Sequence, residues 1–127
     1  MGGWQYQDLG DGTMRPYLKV WRDPAIPFAA IVDSGADFSC LPLQVALVLG
    51  VPFDPAAPIQ ANGAGGRYDC WQAAADLVLN CVEGPFTLAR PMLNPSLGYI
   101  LLGRRDFFHT FRVSMDERNL VFWLERY

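Results

Sequence analysis

An all-β fold with one or two short helices is what this 127-residue sequence predicts. Three observations carry that expectation. Apolar residues recur in short runs or with the two-residue alternation of a half-buried strand, as in residues 17–21, YLKVW. Turn-forming sequences separate the runs, among them Asp23-Pro24-Ala25 and Asp116-Glu117-Arg118-Asn119. The two stretches that read as helix, PLQVALVLG and RRDFFHTF, are each only about two turns long.

Taken in order, residues 17–21 form a half-buried strand and Asp23-Pro24-Ala25 turns the chain. Residues 28–32, FAAIV, are wholly apolar and suit a strand buried on both faces. Residues 38–41 return to strand. Pro42 then opens a short helix that Gly50 stops. A proline-rich connection over residues 51–58 leads into PIQANGAGGRYDCWQAAADLVLN, an extended hairpin with a mobile, glycine-rich tip at residues 63–66. Residues 86–88 and 99–102 are further strands, and residues 112–115 and 120–124 close the chain as a hairpin. Strands of this length and number imply a barrel or a sandwich.

The length suits one domain spanning residues 1–127, with a real core. Half the residues are hydrophobic and 18% are charged, which excludes a disordered chain. A formal charge of −3 and a pI near 4.9 argue against nucleic acid or an anionic membrane as partner, since both need a basic field. Cys40, Cys70 and Cys81 are odd in number and lack zinc-ligand spacing, so free, mostly buried thiols in a reducing compartment are expected. The start of the chain lacks the basic-then-apolar plan of a signal peptide, and no apolar run reaches membrane-spanning length. The expectation is a soluble, cytoplasmic protein with no cofactor.

Most catalytic plans find no support. His109 is the lone histidine, no Gly-x-Ser-x-Gly elbow occurs, and no metal-ligand spacing is present. Gly63-Ala64-Gly65-Gly66 lacks the Lys-Ser/Thr of a phosphate loop, which leaves it as a hairpin tip. Asp33-Ser34-Gly35 is different. By itself the tripeptide is ordinary turn chemistry, with Asp and Ser bonding back to the backbone and Gly taking a positive φ. It follows a buried strand, however, where a carboxylate is costly unless it is bonded or shares its charge.

Three separated segments together resemble the retroviral-type aspartic proteases, the retropepsins. AIVDSGADFSCLP resembles their active-site loop, ANGAGG some 30 residues later their glycine-rich flap, and YILLGRRDFF their apolar-apolar-Gly-Arg segment before a C-terminal helix. The likeness runs over roughly residues 15–126, and bacterial single-domain members are the most similar in pattern. It implies a closed retropepsin-like barrel with a flap hairpin and one Asp-Ser-Gly loop per subunit. Two carboxylates set close together share a proton, so that one activates water while the other protonates the carbonyl oxygen. Since the sequence holds one Asp-Ser-Gly, the resemblance implies a homodimer acting on a peptide or protein substrate, with Asp33 of each subunit at the two-fold axis.

The same resemblance assigns roles. Ser34 locks the two loops across the axis, and Gly35 lets the substrate backbone approach. Ala36 offers no hydroxyl to the dyad, implying activity at milder pH than the stomach enzymes use. Ala36 and Asp37, with Asn62, Gly63, Ala64, Gly65 and Gly66 of the flap, would face substrate. Asp37 and Arg104 would form a largely buried structural ion pair, worth roughly 3–5 kcal/mol when one partner is lost. Many retroviral members place Asn or Asp directly after Gly-Arg, whereas Arg105 here precedes Asp106. Tyr68, Trp71 and residues 100–102 are candidate pocket walls. Two other readings stand beside the peptidase: a catalytically silent retropepsin-like binding or dimerisation module, and an unrelated β-barrel for a small ligand.

Overall fold

The computed structural model describes residues 3–63 and 66–127. The N-terminal part forms β1 (Trp4–Gln5), β2 (Gln7–Asp8), β3 (Met14–Arg15), β4 (Tyr17–Val20) and β5 (Phe28–Val32). Then come β6 (Cys40–Pro42), α1 (Leu43–Leu49), β7 (Ile59–Gly63) and β8 (Gly66–Gln72). The remainder forms β9 (Leu77–Cys81), β10 (Gly84–Leu88), β11 (Met92–Asn94), β12 (Ile100–Leu102), α2 (Phe107–Thr110), β13 (Phe111–Asp116) and β14 (Val121–Arg126). The architecture is all-β with two short helices, as the sequence predicts.

Seven strands hydrogen-bond in the order β4-β5-β12-β6-β11-β8-β7. Their ladder is open, but a bridge between Trp21 and Asn80 continues it from the end of β4 onto the antiparallel pair β9–β10. Both backbone bonds of that bridge are short, at 2.9 and 2.7 Å. A third sheet, β1-β14-β13, joins the two ends of the chain within one molecule. The layers share one cluster of buried side chains, including Val20, Val32, Leu41, Leu93, Leu102 and Phe122. Phe107 sits between Phe86 and Phe111, with ring centroids 5.2 and 5.0 Å away, and so fastens α2 to the core.

The feature that builds the site is the placement of β12 between β5 and β6. It runs parallel to β5, with Leu102 opposite Val32, and antiparallel to β6, with Leu101 opposite Cys40. The chain between β5 and β6 is the Asp33 loop, so β12 divides the two strands from which that loop springs.

Two expectations change in detail. RRDFFHTF yields one helical turn, not two. The Arg104 and Arg105 N–H groups bond to the carbonyls of Ala36 and Asp37, and helix starts only after Asp106 caps it by accepting from Phe107 N. The second arm of the long hairpin also ends early. Ala73 N turns to Pro91 O and Ala74 N to Pro52 O, after which β9 pairs with β10 instead.

Candidate active site

Asp33 stands at the end of β5, whose Ala30, Ile31 and Val32 are buried. Its N–H donates to Leu102 O at 3.0 Å, so β12 fixes the loop's first residue. Ala36 N closes a tight turn onto Asp33 O at 3.1 Å, and Gly35 N donates to Asp33 Oδ1 at 2.8 Å. Asp33 itself is half-buried, while Ser34 and Gly35 are exposed. Gly35 does not adopt the positive φ that ordinary turn chemistry would give it. Its smallness serves the carboxylate instead, because a Cβ there would come within 3.2 Å of Asp33 Oδ1.

The other side of the loop rests on the chain leaving β12. A Cβ on Gly103 would lie 2.6 Å from the backbone carbon and oxygen of Phe38 and 2.9 Å from Ala36 O, so only glycine fits. The next two amides hold the loop, Arg104 N to Ala36 O at 2.9 Å and Arg105 N to Asp37 O at 3.1 Å. The Asp37 and Arg104 side chains do approach, at 3.7 Å, but they are 67% and 63% exposed. The expectation of burial fails for the single chain, and backbone bonds carry most of that linkage.

The buried anchor is one the sequence reading missed. Ser39 and Asp106 are both buried, and Ser39 donates its hydroxyl to Asp106 Oδ1. Asp106 also accepts from Phe107 N at 2.7 Å and Ala89 N at 3.0 Å, which satisfies both carboxylate oxygens. The signal available in the sequence was the position of Asp106, immediately before an apolar helical turn, where an N-cap belongs.

Two cavities flank the Asp33 turn, and Ser34 lines both. One, of about 270 Å³, is bounded by Asp33, Arg15, Tyr99, Leu101, Met115 and Glu117. The other, of about 430 Å³, is bounded by Asp37, Arg104, Arg105, Phe108 and His109. His109 is exposed at the end of α2, as a lone helix-end histidine should be. Of the candidate walls, Leu101 lines the smaller cavity, while Ile100 and Leu102 are core. Trp71 instead packs on Phe53 and donates to Pro55 O, and Tyr68 accepts from Asn94.

The β7–β8 hairpin forms as expected, with Asn62 opposite Arg67 and Gly63 opposite Gly66 closing the ladder. Gly66 has φ +104°, a value that favours glycine. Ala64 and Gly65 lie outside the described residues. Among the described residues no hydrogen bond joins this hairpin to the Asp33 turn. The three cysteines are unpaired, and burial pushes the Cys40 thiol up to about 11. Among the described residues no cluster of three or more His, Cys, Asp or Glu side chains could hold a metal ion. No helix among them is long and apolar enough to cross a membrane.

Neither a protein-family model nor a curated protein matches the sequence. Solved structures do. A retropepsin-like aspartic protease from Rickettsia conorii aligns over 97% of this chain and 90% of its own, at 20% identity and a TM-score of 0.58. The chain has a retropepsin-like fold. The protease of a simian foamy virus aligns over 71% of this retropepsin-like chain and 89% of its own, at 21% identity and a TM-score of 0.47.

Proposed function

We propose that this protein is an aspartic endopeptidase whose active form is a homodimer. The observation that carries the proposal is the Asp33 turn. A carboxylate stands at the end of a buried strand, braced by β12 and bonded through Oδ1 to Gly35 N, beside an open cavity. A turn built only to reverse the chain would not need the Gly103 wedge or the two amide bonds from residues 104 and 105.

In this reading Asp33 meets Asp33 of a second copy, and the pair holds one proton between them because two adjacent carboxylates cannot both ionise cheaply. The ionised member takes a proton from water as it attacks the peptide carbonyl. The protonated member donates to the carbonyl oxygen, giving a neutral tetrahedral diol whose collapse releases the amine. Ser34 locks the loops across the axis, and the Gly35 carbonyl accepts a substrate N–H. The β7–β8 hairpin, with Asn62, Gly63, Ala64, Gly65 and Gly66 at its end, closes over the peptide and excludes water. The three unpaired thiols support a reducing, cytoplasmic setting.

The test is cleavage of a mixed peptide library by wild type and Asp33→Asn over a range of pH and protein concentration. Activity should rise faster than linearly with concentration and vanish in the variant. Equal behaviour of the two proteins under every condition would remove the peptidase reading.

A further inference from the structure

We propose that the free edge of β13 is where two copies of this chain associate, pairing antiparallel about a two-fold axis at Ser114. This contact rests on the homodimer reading and gives the second copy its place. β13 is an outer strand of the sheet β1-β14-β13 and runs for six residues, FRVSMD. A strand edge presents unpaired N–H and C=O groups on which another chain can pair, and folded proteins usually blunt it. The edge of β10 is blunted here: it carries Pro85, and the Arg126 guanidinium donates to Glu83 O and Pro85 O. β13 has no proline. Among the described residues no group bonds to the backbone N–H or C=O of Val113 or Met115.

The alternation of the ladder shows why those groups are free. Tyr127 N donates to Thr110 O, one step beyond the opposed residues Phe111 and Arg126. Arg112, Ser114 and Asp116 therefore bond to β14, while Val113 and Met115 turn their N–H and C=O outward. When a second copy lies antiparallel with Ser114 opposite Ser114, Val113 of each chain faces Met115 of the other. Each such pair exchanges two N–H···O bonds. The same register sets Arg112 opposite Asp116 of the second copy, twice by symmetry. Among the described residues Arg112 has no ion-pair partner. The bond from Asn119 pulls the Asp116 carboxyl below its ordinary value, which keeps it charged. A two-fold contact requires a surface complementary to itself, and this strand meets its own reverse with Arg on Asp, Val on Met and Ser on Ser. Met115 also shares the cavity at Asp33. The edge thus lies on the side of the molecule that carries Asp33, and a copy paired there brings its own Asp33 toward the first.

Ser114→Cys tests the axis. Opposed residues that do not bond each other stand about 4.5 Å apart at Cα, within disulfide reach. With oxidised glutathione the variant should convert to a covalent dimer. Arg112→Cys is the control, because in this register it lies about 14 Å along the strand from its counterpart. Neither it nor the wild type, with its three native thiols, should cross-link. Sedimentation equilibrium measures the strength of the contact. Arg112→Glu sets like charges opposite each other at both positions and should raise the dimer Kd about 10-fold. Ser114 and Arg112 are exposed, so these variants leave the core untouched. Cross-linking of Ser114→Cys no faster than Arg112→Cys, or an unchanged Kd for Arg112→Glu, would overturn the contact. If the wild type still dimerised, the homodimer would then stand without it, whereas a wild type monomeric at every concentration would remove both. A covalent Ser114→Cys dimer that cleaves no peptide would sustain the contact and remove the peptidase.

Discussion

Ser39 donates its hydroxyl to Asp106 across 2.5 Å and accepts the Gly103 N–H on the same oxygen at 2.9 Å. One buried pair thus ties three things together: the strand after the Asp33 loop, the glycine wedged under that loop, and the cap of α2. Asp106 reaches a fourth segment through Ala89 N.

Removing either member leaves buried groups without partners. Asp106→Ala orphans the Ser39 hydroxyl and two backbone N–H groups, and should cost about 3 kcal/mol or more. Ser39→Ala leaves Gly103 N and one Asp106 oxygen short of a bond and should cost roughly 1–3 kcal/mol. The two costs should not add, because they break one network. Urea unfolding of both single variants and the double variant measures this; simple additivity would show that the residues act separately.

The wedge makes a second prediction. Gly103→Ala would push a methyl to 2.6 Å from the Phe38 carbonyl, which backbone cannot yield without moving the loop. We expect a loss of about 1–3 kcal/mol and, under the proposed peptidase function, of peptide cleavage. Gly98→Ala is the control, since nothing lies within 4 Å of its added Cβ. Comparable thermal unfolding for the two variants would refute the wedge.

These residues also show where the sequence was legible. Val32, Leu101 and the Asp33 turn could be read because a buried apolar run leading into a polar tripeptide is a local pattern. Pro42 and Gly50 bounded α1 for equally local reasons, and Gly50 does take φ 68° at its C-cap. What could not be read was made by distant pairing. β11 is three residues long and exists because β6 and β8 hold it from either side. β1 is two residues long and depends on Phe122 and Val121. The same holds for the site: Asp33 was found from its neighbours in sequence, whereas the Ser39–Asp106 bond joins residues 67 positions apart. Arg104 drew notice through its family-like motif, yet its backbone amide holds the loop more firmly than its exposed side chain does.

That contrast leads to a prediction for Asp37 and Arg104. An exposed pair at 3.7 Å contributes less than about 1 kcal/mol, so Asp37→Asn and Arg104→Gln should each barely shift the urea midpoint of dilute monomer. In the proposed dimer a second copy approaching Asp33 would exclude water from this neighbourhood and strengthen the pair. The variants should then lose stability mainly at concentrations where the wild type associates. A loss of 3–5 kcal/mol in dilute monomer would show instead that the pair is already structural.

The last prediction concerns the N-terminal segment. Tyr6 is buried, its N–H bonds to Leu120 O, and its phenol donates to Glu117 at 3.2 Å. Burial first, then the bond to Glu117 and the nearby negative charges, push its pKa from 10.0 up to about 12. The folded state therefore prefers the neutral phenol. Its contribution is complete below pH 10 and is lost as pH rises through about 12. Tyr6→Phe has no proton to lose and no bond to Glu117. It should be less stable than wild type at pH 8 by about 1 kcal/mol, and the gap should close or reverse between pH 10 and 12. The cysteines titrate in both proteins and cancel in the difference. Urea midpoints for the pair at pH 8, 10 and 11 decide it: a gap independent of pH would mean that folded Tyr6 ionises as readily as the unfolded phenol, so that burial and Glu117 do not raise its pKa.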